Sequence, residues 1–201
     1  VTIVEEEPTE EYAAWLGDWT FTGDNGVAFD VTFEKGVANQ TYYMTGWEGI
    51  YEIPVTVNWI QDDNIWYIAG QVLIEEAALT NTVNGSVYFL PYIGNNLYNA
   101  VACVGGMTED GTRISQAYEG EDESGATIVM EGMGYFGIGN DNNTYVLSEA
   151  MYNNEMPTFP ITITPATTTT QTSVKEFKVA EKSIDALKEF KTLGTKNAVI
   201  L

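Results

Sequence analysis

Histidine is missing from the chain altogether, and cysteine occurs once. Without an imidazole there is no Ser–His–Asp hydrolase, no activated Cys–His nucleophile, no His-ligated zinc and no haem held by histidine. A lone Cys103 excludes an intramolecular disulfide and leaves no cysteine cluster for zinc or an iron–sulfur centre. Its neighbours, Val101-Ala102-Cys103-Val104, read as a buried strand in which a thiol serves as a small apolar filler. No run of about 20 apolar residues is available as a membrane span. The chain opens at Val1 without a hydrophobic leader, which reads as a trimmed or mature form.

Cations are the next scarcity. Eight Lys and Arg stand against 29 Asp and Glu, for a formal net charge of -21. Only Lys35 and Arg113 precede residue 173, while Lys175, Lys178, Lys182, Lys188, Lys191 and Lys196 crowd the C-terminal end. A body so poor in cations cannot neutralise phosphates, which argues against DNA, RNA and anionic membrane surfaces as partners. Solubility is the plain account of the acid.

What is present is enough to build a core, since 44% of residues are hydrophobic and 12% aromatic. Residues 1–11 form an acidic leader, 12–166 one β-domain, 167–172 a Thr-rich linker, and 173–201 a mildly basic tail. In the tail Val174, Phe177, Ala180, Ile184, Leu187 and Phe190 recur every three or four residues behind Ser173, the pattern of an amphipathic helix. The clearest strand holds Val27, Phe29, Val31 and Phe33 on one face and Asp30, Thr32 and Glu34 on the other. With 15–21, the spans 40–48, 54–60, 65–74, 85–92, 97–104, 112–119, 126–136, 143–152 and 158–164 also read as strands. Between them lie turn formers such as Asp62-Asp63-Asn64, Gly94-Asn95-Asn96, Glu109-Asp110-Gly111 and Gly139-Asn140-Asp141-Asn142. No βαβ spacing interrupts this grammar. The expected fold class is therefore all-β, an antiparallel meandering barrel or two-layer sandwich with a C-terminal helix.

Gly17-Asp18-Trp19, at the start of the first strand and behind an irregular acidic leader, resembles the Gly-x-Trp signature that opens lipocalin and related calycin barrels. In that family the Trp packs beneath one end of the barrel, and a helix follows the last strand as the stretch from Ser173 would here. The sequence departs from the family in having more than eight strand segments and no disulfide. More narrowly, the leader and layout look like lipocalin-like lipoproteins on the outer membrane of Gram-negative gut bacteria, whose lipidated cysteine would lie upstream of Val1. Paucity of Cys and His, with abundant Thr, Asn, Gly and Tyr, is likewise a composition associated with bacterial surface proteins.

The resemblance implies a ligand site at the barrel mouth and lumen, where aromatic faces stack on sugars and flat apolar molecules. The candidate liners are Tyr43 and Trp47, sharing a face with Thr41 and Thr45; Trp59, sharing one with Val55 and Val57; and Trp66, Tyr88 and Tyr118. Taken singly, each reads more readily as an ordinary core residue. The function expected is non-catalytic binding of a small apolar or carbohydrate-like molecule by an exported protein, periplasmic or at the outer-membrane surface, with no cofactor and no metal. The membrane would be reached only through a lipid anchor. The competing class is a protein- or glycan-interaction module with a solid barrel and an exposed patch. A glycosidase would need two facing carboxyls, and Glu131 and Glu149, each beside apolar strand residues, are the ones to inspect. The acidic turns around Asp122 and Asp141 lack the alternating ligand pattern of an EF-hand and read as solvated hairpin tips. The Asn-x-Ser/Thr triplets at Asn39, Asn84 and Asn142 carry little information in a chain this rich in Asn and Thr.

Overall fold

A computed structural model describes residues 6–122 and 124–167, and the backbone of 191–192. The expected helix in the tail and most of the Thr-rich linker lie outside the described residues. Eight antiparallel strands close into a barrel, as expected for a lipocalin-like fold, in the order β1 (Gly17–Gly23), β15 (Ile161–Pro165), β10 (Arg113–Ala117), β9 (Val101–Met107), β5 (Ile65–Ala69), β4 (Val55–Ile60), β3 (Thr41–Thr45) and β2 (Ala28–Lys35). The surplus strands belong elsewhere. Between β5 and β9 the chain leaves the barrel to form β6 (Gln71–Ala78), β7 (Asn84–Ile93) and β8 (Asn96–Leu97). Between β10 and β15 it leaves again for the hairpin β11 (Glu119–Glu121) and β12 (Thr127–Val129), then β13 (Gly132–Gly139) and β14 (Thr144–Val146). The two excursions pair through β7 and β13 into a second sheet, ordered β14-β13-β7-β8, with β6 on β7 and β16 (Lys191–Thr192) parallel to β8.

Several expected strands are therefore divided. The run at 65–74 contains β5 and the start of β6, which separate at Gly70, where a bulge at Ile68/Ala69 carries the chain from one sheet to the other. The run at 126–136 divides in the same way at Met130-Glu131. The run at 143–152 ends its strand at Val146, and Glu149–Tyr152 is a helical turn, α2, whose N-cap Ser148 accepts from Met151 N at 3.1 Å. The acidic leader is not irregular up to residue 11: Glu10–Ala13 is a helical turn, α1, capped by Thr9. Its Glu10 and Glu11 fall in the first turn, where carboxylates complement the free N–H groups.

The alternation in β2 reads directly into burial, with Val31 and Phe33 inside the barrel and Thr32 and Glu34 turned out. Inside, rings meet rings. Trp66 lies 5.7 Å from Trp15, 6.1 Å from Phe21 and 5.6 Å from Phe33, and Tyr42 lies 5.4 Å from Phe33 and 5.9 Å from Trp59. Gly105, directly opposite Trp66 on the neighbouring strand, makes this filling possible, because a Cβ there would sit 2.0 Å from the indole.

Both ends of the barrel are covered. At one end Tyr12 stacks on Tyr42 at 4.3 Å and donates its hydroxyl to Thr41 O at 2.6 Å, and Trp15 packs beside Trp19. Arg113 lies over both indoles, 4.7 Å from Trp19 and 5.4 Å from Trp15, and donates to Ala14 O. Trp19 thus has the end-closing place that the Gly-x-Trp resemblance implies. At the other end a 3₁₀ turn, Trp47–Gly49, packs Trp47 onto Phe21 and Phe29 and joins the barrel to the second sheet.

Candidate functional site

The aromatic residues singled out in the sequence do not converge on one open cavity. Trp59 and Trp66 face the lumen, but as part of its filling, at 6% and 0% exposure. Trp47 is buried in the 3₁₀ turn rather than on β3, and its Nε1 donates to Met133 O at 3.1 Å. Tyr43 stands on the outer face of β3, because Tyr42 and Met44 take the inward positions. Tyr88 belongs to the second sheet, opposite Phe136. Tyr118 lies between the barrel and the β11–β12 hairpin, where its carbonyl accepts from Met130 N at 3.1 Å. Glu131 and Glu149 sit on different elements, at the approach to β13 and at the first turn of α2, and no hydrogen bond joins them.

The residue that composition and spacing did not single out is Glu48. Among the described residues it is the charged side chain that is buried. The turn that carries it needs Gly46 at φ 92°, where a Cβ would meet Asp30 O at 2.4 Å, and places Glu48 itself at φ 57°. Its Oε1 accepts from Tyr135 N at 2.9 Å and its Oε2 accepts from Ser148 Oγ. Burial, only partly offset by these two donors, pushes the carboxyl up to about 7. Gly46 and Gly49 around Trp47-Glu48 announce a turn in the sequence; nothing local announces that the turn folds inward.

An open space does remain on the outside, at the end of the barrel where the second sheet sits. A groove of about 560 Å³ is lined by Gln116, Ala117 and Glu119, by Val129, Met130 and Glu131, and by Thr158, Phe159 and Pro160. It exists because β10 outruns β15. Their ladder ends at Ser115 opposite Ile161, and the preceding Pro160 has no N–H with which to extend it.

No family model matches the chain, and no curated protein or solved structure matches it significantly.

The groove walls are held from behind. Glu131 Oε2 accepts from Gly94 N at 2.7 Å in the β7–β8 turn, while Thr158 O accepts from Asp24 N at 3.0 Å and Thr158 Oγ1 from Asn25 N at 3.1 Å in the β1–β2 turn. The Glu119 carboxylate, by contrast, has no hydrogen-bond or ion-pair partner among the described residues. Cys103, facing Met133 Sδ at 3.6 Å, is wholly buried, and burial pushes its thiol up to about 12, so it stays protonated and unreactive.

Proposed function

We propose that this protein is a non-catalytic binding module that takes its ligand on the outside of a filled barrel, in the groove between β10, the β11–β12 hairpin and the entry to β15. The observation that carries this reading is the contrast between a lumen occupied by Trp59, Trp66, Phe21, Phe33 and Tyr42 and an external groove of about 560 Å³. Small-ligand sites commonly span roughly 300 to 1,000 Å³ and combine apolar walls with a few polar groups. Here Val129, Phe159 and Pro160 supply the apolar surface and Gln116, Glu119 and Glu131 the polar one. We further propose, from the acidic leader and the composition, that it acts after export, as a lipocalin-like lipoprotein of a Gram-negative cell surface.

Ligand-observed NMR with a library of small apolar compounds and simple sugars tests the site. Binding compounds should lose their signal transfer with Gln116→Trp, which fills the groove from an exposed position, and keep it with Tyr43→Ala on the far outer face. Compounds that bind Gln116→Trp as well as the parent protein would overturn the assignment.

A further inference from the structure

We infer, resting on the groove as the binding surface, that its occupant is an extended peptide segment of another protein bearing lysine or arginine side chains. Three observations point the same way. The first is the strand edge. Because the β10–β15 ladder stops at Ser115, Gln116 and Ala117 continue β10 along the groove paired with β9 on one side and without β15 on the other, and an extended chain can align on that open side. The second is charge. Glu119, on β11, and Glu131, at the approach to β13, both line the groove, and Glu119 has no cation or donor to answer it among the described residues. Of the two cations before residue 173, Arg113 is committed to Trp15, Trp19 and Ala14 O. The third is the apolar surface. Val129, 49% exposed, lines the groove with Phe159, Pro160 and Ala117. An extended segment bearing Lys or Arg satisfies all three, its backbone on the open edge and its side chain laying a methylene stem on the apolar floor while its charge reaches a carboxylate. The field of the acidic body would draw such a segment in and repel an anionic one.

The test uses the full chain and an acetylated, amidated octapeptide alternating lysine and valine, with glutamate–valine and serine–valine octapeptides beside it. Amide shifts followed by two-dimensional NMR should move at Gln116, Ala117 and Val129 with the lysine peptide and not with the glutamate one. Glu119→Gln with Glu131→Gln should weaken binding roughly five-fold, whereas Glu75→Gln with Glu76→Gln, exposed on β6, should leave it within about two-fold. Equal loss from both pairs would make the attraction a general property of an acidic surface and overturn the inference. A serine–valine peptide that moves the groove amides as strongly as the lysine one also overturns it, but leaves the groove standing as the binding surface. Shifts from the lysine peptide that fall elsewhere overturn both. No shift at all, the result expected if the chain's own lysines beyond residue 172 competed for the site, overturns the peptide assignment.

Discussion

Glu48 accepts a hydrogen bond from the backbone N–H of Tyr135 at 2.9 Å, on the part of β13 that β14 does not reach. In β13 the odd-numbered residues direct their backbone groups to the β14 side. Gly139 N, for example, donates to Asn143 O, and β14 itself pairs only with Phe136 to Ile138. Upstream, Glu48 takes the N–H of Tyr135 and Trp47 Nε1 takes the carbonyl of Met133, so two side chains of one turn stand in for the missing strand. Ser148 closes the arrangement, donating to Glu48 while capping α2.

This clasp makes stability depend on pH in a direction opposite to that of an ordinary paired carboxylate. The folded-state value of Glu48 is raised to about 7 from 4.5, so the native state binds the proton more tightly than the unfolded chain does. The contribution is fully present below pH 4.5 and is lost as pH rises through 7. It amounts to about 3 kcal/mol on linkage grounds. Gln in place of Glu48 keeps an acceptor for Tyr135 N and cannot ionise. In urea unfolding at pH 5 and pH 7.5, the parent should lose stability at the higher pH and Glu48→Gln should lose about 2 kcal/mol less. Parallel pH profiles for the two proteins would sink this account.

Arg113 should matter for its shape as well as its charge. It stacks on Trp15 and Trp19 and donates to Ala14 O, tying β10 to the segment that closes the barrel end. Arg113→Lys retains the charge but loses the flat cation that covers two indoles. It should cost about 1 to 2 kcal/mol in chemical unfolding and change tryptophan fluorescence. A loss below about 0.5 kcal/mol would mean that charge alone suffices.

At Gly105 the prediction concerns space. Adding one methyl group drives into the Trp66 indole, which is hemmed in by Trp15, Phe21 and Phe33. Gly105→Ala should destabilise by about 1 to 3 kcal/mol. Trp66→Phe opens room at the same spot, so the double variant should be more stable than the sum of the single losses implies, by about 1 kcal/mol or more. Strict additivity would show that the two residues do not compete for the same volume.

The period-two pattern of β2 and the turn residues between strands could be read along the chain, because each depends on neighbours a few residues away, while the place of Trp19 was implied by the Gly-x-Trp resemblance. A residue alternates faces or accepts a turn for local steric reasons, whatever its distant partners. The division of 65–74 and 126–136 between two sheets could not be read this way. Whether Ile68 or Val72 enters the barrel depends on pairing with β9 or β7, and an apolar run looks alike in either. The same holds for the site. Tyr43 and Trp59 are similar in sequence context, yet the register of β3 and β4 turns one out and the other in. Glu48 looks like any acidic turn residue until the second sheet closes over it. The groove has no sequence signal of its own, since it arises where β10 is longer than the strand beside it. Local sterics determined the strands and turns of this protein; long-range pairing decided which of its described surfaces were covered and which were left open.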